Sequence, residues 1–265
     1  MNALVEIARP RGWGIGINLI DQPGGKMRPV TDVAQALREL RPAWWQSWTS
    51  EAPVDDAGWM PATESGKIDI PNWESDRIEI LNWDAVDSRT WLILNEPESG
   101  LAGASLADPH IAAMVTCEAV EALRWHGLRF AWAAPNCNVN GANLEWLRVY
   151  ARELMSHGVI PPYWGVHLYG AETRELRHQW ARFRTWWNEA GDGRPVVLTE
   201  CGAGSGATAS QHVAVMQYIR GLLDETTVPV VGAAYFAAYQ YEHGQRRYLG
   251  VLDTPALRDE WLRWR

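Results

Sequence analysis

The stretch Thr90-Trp-Leu-Ile-Leu-Asn-Glu-Pro-Glu98 decides how this chain is read. Trp91 to Leu94 are apolar without a break, as expected of a strand covered on both faces. Asn95 and Glu96 follow at the strand's C-terminal end. Pro97 lacks an amide hydrogen and stops the hydrogen-bond ladder. A carboxylate in such a place suits catalysis, although a strand-end Glu can also simply reach solvent. The rest of the chain has to choose between the two.

Working outward, a second strand ends the same way. Arg194-Pro-Val-Val-Leu-Thr-Glu-Cys-Gly202 carries Glu200 after an apolar run. Glu96 has Leu94 and Leu92 at i−2 and i−4, and Glu200 has Leu198 and Val196. Alternation with period two therefore predicts that each Glu shares a face with those apolar residues.

Further strands are expected at Trp13–Leu19, Ala43–Trp48, Gly58–Thr63, Arg129–Asn136, Tyr163–Gly170 and Val230–Tyr239. A helix is expected to start after Thr31 or Asp32 and reach about Leu40, and a short one to cover Ser75–Leu81. Others run from Asp108, as cap, to Trp125, over Asn143–His157, Glu172–Ala190 and Ser210–Asp224, and over Pro255–Trp264. Gly127, Gly158 and Gly191 mark three of the ends. The glycines of Trp13-Gly-Ile-Gly-Ile-Asn-Leu19 resemble a dinucleotide fingerprint, but its third glycine would fall at Leu19, so the match fails. Eight strands alternating with helices in 265 residues predict one α/β domain spanning 1–265, a (β/α)8 TIM barrel with its active site at the C-terminal ends of the strands. A doubly wound open sheet is the competing fold.

Composition narrows the partners. The net charge of −8 argues against nucleic acid. No apolar run reaches the length of a membrane span. The N-terminal MNALVEIARPRGWG lacks the long apolar segment of a secretory signal, so the expectation is a cytoplasmic protein, or a secreted one whose signal has been removed. Cys117, Cys137 and Cys201 have no metal-ligand spacing and read as free thiols. The seven His show no ligand pattern, so neither metal nor other cofactor is expected. A monomer is expected. The 17 Trp against 3 Phe stand out. Flat aromatic faces stack on sugar rings, but Trp also fills cores when its N–H finds a partner. Trp13, Trp91 and Trp132 lie in apolar runs and read as structural; of the helical pair, one of Trp186 and Trp187 faces the core.

Polar residues collect at the strand ends: Asn18, Gln46, Asn95 with Glu96, Asn136, His167 with Tyr169, Glu200, and Tyr239. Two carboxylates across a cleft are what glycoside hydrolysis needs, one protonating the leaving oxygen and the other attacking the anomeric carbon or activating water. Trp48, Trp59 and Trp164 are candidate sugar platforms. Glu98 is a rival carboxylate, set aside because Pro97 ends the strand before it. Cys201 reads as an inert thiol pointing away from Glu200.

Asn95-Glu96-Pro97 on strand four, His167-Leu-Tyr-Gly170 on strand six and Thr199-Glu200 on strand seven resemble the signatures of the clan A retaining glycoside hydrolases. That resemblance implies Glu96 as acid/base, Glu200 as nucleophile, Asn95 as a hydrogen bond to the sugar 2-hydroxyl, and His167 or Tyr169 orienting the nucleophile. The protonated partner is expected to be Glu96. Trp44-Trp-Gln-Ser-Trp48, Trp59-Met-Pro61 and the strand-six motif are similar to the compact endo-β-1,3-glucanases of glycoside hydrolase family 128. The implied partner is a β-glucan or related saccharide. One departure stands out: many clan members carry a Trp on strand eight beneath the reacting sugar, whereas this chain has Tyr235-Phe-Ala-Ala-Tyr239. Alternatives are a β-1,4-glycanase, another β-glycosidase or a transglycosylase on the same site, and a catalytically silent carbohydrate-binding barrel. A non-carbohydrate barrel enzyme using Glu96 and His167 would need a phosphate or metal site that the sequence does not offer.

Overall fold

The computed structural model describes residues 12–16, 20–22, 26–27, 35–36, 38–42, 44–46, 67–68, 90–100, 107–125, 131–141, 143–236, 241–242, 245–246 and 250–263. Eight parallel strands form one sheet: β1 (Gly12–Gly16), β2 (Trp44–Gln46), β3 (Lys67–Ile68), β4 (Thr90–Ile93), β5 (Ala131–Asn138), β6 (Tyr163–Tyr169), β7 (Val196–Gly202) and β8 (Val230–Tyr235). Their order is β2-β1-β8-β7-β6-β5-β4-β3, so β1 lies between the second strand and the last. This is chain order running round from one edge to the other, without the reversal of a doubly wound sheet. Residues of β5 and β7, which are next but one, approach within 8 Å between Cα atoms. Two flat strand spacings would hold them about 9.6 Å apart, so the sheet curls. Among the described residues no pairing joins β2 to β3.

Residues 35–36 and 38–40 are helical, and five further helices follow: α1 (Pro109–Trp125), α2 (Asn143–Ser156), α3 (Thr173–Ala190), α4 (Ala209–Leu223) and α5 (Pro255–Leu262). Three carry a local signal at an end. The Asp108 carboxylate accepts the His110 N–H at the start of α1, with Pro109 in the first turn. Thr208 and Gln211 form a reciprocal capping box on α4. Gly158, at φ 70°, follows α2 where a left-handed residue is needed. The inward faces carry Leu144, Leu147, Tyr150, Ala151 and Leu154 on α2, and Leu176, Trp180, Phe183 and Trp186 on α3. The last helix closes back on the first part of the chain, Trp261 donating its indole N–H to Leu40 O at 2.8 Å.

The core has two layers. An inner cluster consists of strand residues alone: Leu92, Ala133, Tyr163, Val197 and Ala234. The larger cluster lies between sheet and helices and contains Ile93, Leu94, Trp164, Val196, Leu198 and Cys201. Trp164 meets Trp186 edge-on at 5.2 Å, and Trp186 packs on Phe183 at 5.3 Å. Such pairs contribute about 0.5–1.5 kcal/mol each beyond burial, and they lock β6 against α3.

Several expectations need adjustment. The strand paired with β4 is Lys67–Ile68, whereas Gly58–Thr63 and Ser75–Leu81 lie outside the described residues. β5 runs two residues past its expected end at Asn136, to Asn138. β4 stops at Ile93, because Leu94 adopts φ 66°. Of the indoles expected in the core, Trp13 and Trp132 are buried, as is Trp186, while Trp187 is half-buried. No described helix is long and apolar enough to cross a membrane.

A buried histidine sits beneath β8. His212 is 1% exposed, its Nδ1 lies 2.6 Å from the Tyr235 hydroxyl, and burial pushes its pKa down to about 4. The unfolded chain binds a proton there near pH 6.5, so between pH 6.5 and 4 the unfolded state holds the extra proton and stability falls as pH falls. The expected contribution to acid destabilisation between pH 7 and 4.5 is about 2–3 kcal/mol. Urea unfolding of wild type and His212→Gln at both pH values checks it: the variant should lose less stability on acidification by about that amount.

Candidate active site

Two departures from regular pairing build the site. β5 contains one residue more than β6 between Pro135 and Cys137, and the extra residue is Asn136, at φ 57°. β7 contains one more than both neighbours around Thr199. Extra residues of this kind re-aim the side chains that follow them. On β6 alternation runs undisturbed, from Tyr163 in the inner cluster to His167 and Tyr169. On β7, Val197 is inner and Leu198 faces the helices. Unbroken alternation would turn Glu200 outward with Leu198. The extra residue shifts the phase, and Glu200 pairs in register with His167 while Cys201 joins the helix-facing core. In the same way Asn138 comes into register with His167. Asn138, His167 and Glu200 thus form one row across three strands.

Glu96 reaches this row from a turn. It adopts φ 45° and ψ 47°, and Pro97–Ser99 forms a short 3-10 helix behind it. Such left-handed geometry costs a non-glycine residue about 1–2 kcal/mol. Asn136 supplies the compensation. Its side-chain N–H groups donate to Ile93 O and Leu94 O, both at 3.0 Å, and to Ala133 O at 3.3 Å. Its own carbonyl accepts the Glu96 N–H at 3.0 Å. The equal-face argument therefore gives the wrong route for both carboxylates: Leu92 and Leu94 fall in different core layers, as do Glu200 and Leu198.

The side chains meet closely. His167 Nδ1 lies 3.0 Å from Glu96 Oε1 and 3.6 Å from Glu200 Oε2. Asn138 donates an amide hydrogen to Glu96 Oε1 at 2.8 Å. The Tyr169 hydroxyl donates to Glu200 Oε2 at 2.9 Å. Exposure of the side chains is 25% for Glu96, 10% for Glu200 and 1% for His167. Burial is the largest influence on His167 and disfavours its charged form. The Glu200 charge, the hydrogen bond with Glu96, and the charges of Glu96 and Glu98 together outweigh it, so the pKa of His167 is raised. Burial, and then the Glu200 charge and hydrogen bond, push the Tyr169 hydroxyl well above its ordinary value, so it stays a donor.

One ligand atom each from Glu96, His167 and Glu200 lie within 4.8 Å of one another. Two carboxylates and an imidazole could hold a divalent cation. Because the carboxylates raise the pKa of His167, a cation would have to compete there with a proton, since a ligating imidazole must be free of its proton at the metal.

The other expected residues fall out as follows. Asn95 is half-buried beside Glu96. Asn136, expected to bind substrate, is 1% exposed with its amide donors committed to backbone carbonyls, so it is a bracket for Glu96. Trp164, expected as a platform, is fully buried; its ring faces Trp186 and its N–H is bonded to Gly191 O, which leaves no face for a sugar. Gln46 ends β2, but its side chain lies outside the described residues, as do Asn18, Trp48, Trp59 and Tyr239. Just past β8, Phe236 sets its ring 6.3 Å from Tyr169, edge to face. Two residues were missed. Asn138 was hidden because the extra residue at Asn136 defeats period-two counting. Glu98 was discounted, yet its Oε1 accepts the Asn138 backbone N–H at 2.8 Å and the Asn143 amide at 3.3 Å. The spacing Asn136-Cys-Asn138 was the signal that could have found the first.

Close approach at Gly165 makes this arrangement testable. A Cβ there would lie 1.9 Å from Asn136 Oδ1, and Asn136 is too tightly bonded to yield. Gly165→Ala is expected to lower unfolding stability by about 1–3 kcal/mol in urea titration, the usual cost of overpacking.

No protein-family profile and no curated protein sequence matches this chain. Solved structures do. The GH128 (subgroup II) endo-β-1,3-glucanase from Sorangium cellulosum superposes with a TM-score of 0.67 at 17% identity, covering 96% of this chain and 98% of that one. The GH128 (subgroup VI) exo-β-1,3-glucanase from Aureobasidium namibiae gives 0.63 at 18% identity, covering 94% and 89%. The GH128 (subgroup I) endo-β-1,3-glucanase from Amycolatopsis mediterranei, in complex with laminaritriose, gives 0.60 at 16% identity, covering 95% and 100%. At these identities the likeness is one of fold.

Proposed function

We propose that this chain is a retaining glycoside hydrolase that cleaves β-1,3-glucan internally, with Glu96 as acid/base and Glu200 as nucleophile. The observation that carries the proposal is the pair of carboxylates joined through one buried imidazole, with facing oxygens within 4.8 Å. Carboxylates whose nearest oxygens stand this close favour the retaining class, which works with carboxyl groups about 5–5.5 Å apart. The structural neighbours favour the substrate class: both endo- and exo-acting β-1,3-glucanases are among them, some crystallised with laminari-oligosaccharides.

The chemistry runs in two displacements. In the first, Glu200 attacks the anomeric carbon while Glu96 gives its proton to the glycosidic oxygen, and the leaving chain departs as an alcohol. Asn138 and His167 both meet Oε1 of Glu96, so the transferable proton belongs on Oε2. The Tyr169 hydroxyl holds Oε2 of Glu200, which turns Oε1 toward the sugar. In the second, Glu96 takes a proton from water, the hydroxide oxygen attacks the anomeric carbon, and the ester to Glu200 breaks. Asn95 bonds the 2-hydroxyl of the reacting sugar. Phe236, beside Tyr169, takes the place of the absent strand-eight Trp. Asn18, Gln46, Trp48, Trp59 and Tyr239 are proposed as further sugar contacts on the sequence argument.

The same reading includes closure of the sheet into a (β/α)8 barrel through a β2–β3 pairing, the one neighbour pair that a closed ring adds to the observed order. It also takes 1–265 as one catalytic domain acting as a monomer.

Glu96→Gln and Glu200→Gln are each expected to lower laminarin hydrolysis by at least about a hundredfold, measured as reducing ends released. Wild-type activity in both variants would remove the assignment. A panel with cellulose, mannan and xylan separates linkages: laminarin should be the preferred substrate, its viscosity falling ahead of reducing-end release. Proton NMR of the first product should show the β-anomer, and an initial α-anomer would exclude retention.

A further inference from the structure

We propose that Glu98 and Asn138 form a positioning pair for the acid/base: Glu98 holds Asn138, and Asn138 holds one oxygen of Glu96. The proposal rests on the reading of Glu96 as acid/base given above.

The geometry is a two-sided clamp. On one side the Glu96 N–H is bonded to Asn136 O, which fixes its backbone to β5. On the other the Asn138 amide is bonded to Glu96 Oε1, which fixes its carboxylate to the same strand. Asn138 is the last residue of β5, where a strand end would ordinarily fray. Glu98 reinforces that end, next to the Val139 N–H that donates to His167 O at 3.1 Å. Its Oε1 takes the Asn138 backbone N–H, and it reaches Asn143 at the start of α2 as well. The 3-10 turn that carries Glu98 begins at Pro97, whose fixed φ suits the first position of the turn.

Glu98 is a poor choice for packing alone. Burial is the main influence that raises its pKa, against the Asn138 N–H and the His167 charge. Its Oε2 is buried without a hydrogen-bond partner among the described residues. A carboxylate in that setting costs stability unless it is used. Its use is specific: with Asn138 in place, Oε1 of Glu96 is an acceptor and the proton stays on Oε2, where the glycosidic oxygen needs it. Without the pair, only His167 still holds Oε1, the carboxyl group is less firmly oriented, and the fraction of Glu96 poised for transfer falls.

The test compares two substrates. Laminaripentaose has an alcohol leaving group that needs a proton. 2,4-Dinitrophenyl β-laminaribioside has one that departs unprotonated. The ratio of the two kcat/KM values, taken on one preparation, is independent of how much of the protein is folded. Asn138→Ala and Glu98→Ala are expected to lower kcat/KM on laminaripentaose by roughly ten- to a hundredfold, the range for a hydrogen bond to a charged group. The dinitrophenyl glycoside should stay within about threefold of wild type in both. Glu98→Gln, which keeps an oxygen for the Asn138 N–H, should recover most of the loss. Equal losses on the two substrates, or no loss on either, would overturn the positioning role. Glu96→Gln is measured alongside. If it shows the split and the other variants do not, only the positioning pair is wrong. If Glu96→Gln shows no split, the acid/base reading fails and the pair falls with it.

Discussion

A single extra residue in each of two strands governs the site. Asn136 in β5 and Thr199 in β7 each advance their strand by one position relative to β6. Without them Asn138 and Glu200 would turn toward the helices, into a layer filled by Leu198, Cys137 and Cys201. With them, both stand in register with His167. A charged side chain in the helix-facing layer would be expensive, and an apolar one in place of Glu200 would leave His167 with Glu96 as its nearest carboxylate. Phase and charge therefore support each other: the shift is tolerated because the row satisfies the groups it brings inward.

His167 is the electrostatic centre of this arrangement. It is fully enclosed, yet the neighbouring carboxylates raise its pKa. Glu96, Glu98 and Glu200 would otherwise repel one another across a few ångströms. His167, placed between Glu96 and Glu200, lowers that repulsion whenever it carries its proton. Tyr169 adds a neutral donor to the same Glu200 oxygen that faces His167. The aromatic packing of Trp164, Trp186 and Phe183 outside the sheet is part of the same design, since it holds the strand that carries both His167 and Tyr169.

The helices and the identity of the central residues could be read from the sequence because their signals are local. Caps such as Asp108 and Thr208 sit where helices begin, and apolar faces repeat every three to four residues. His167, Tyr169 and Glu200 lie near the ends of their strands and Glu96 just beyond its own, and the fold brings the four together at the site. The route that brings them there was not legible. Period two assumes unbroken strands, and the left-handed residues Leu94, Glu96 and Asn136, none of them glycine, give no local warning of a break. That is why Asn138 went unseen and Asn136 was given a substrate role it is too buried to fill. Trp164 was misread for a related reason: composition says that indoles are abundant, but only the neighbours of a given ring say whether its face is free.

The proposed mechanism requires Glu200 to become covalently bonded to sugar. A 2-deoxy-2-fluoro-β-laminaribiosyl fluoride slows the second displacement and allows the intermediate to accumulate. Peptide mass spectrometry of the inactivated protein should place one fluoroglycosyl ester on the peptide containing Thr199-Glu200-Cys201. A label on the peptide containing Glu96 and Glu98, or no label under conditions where the natural glucan is cleaved, would contradict it.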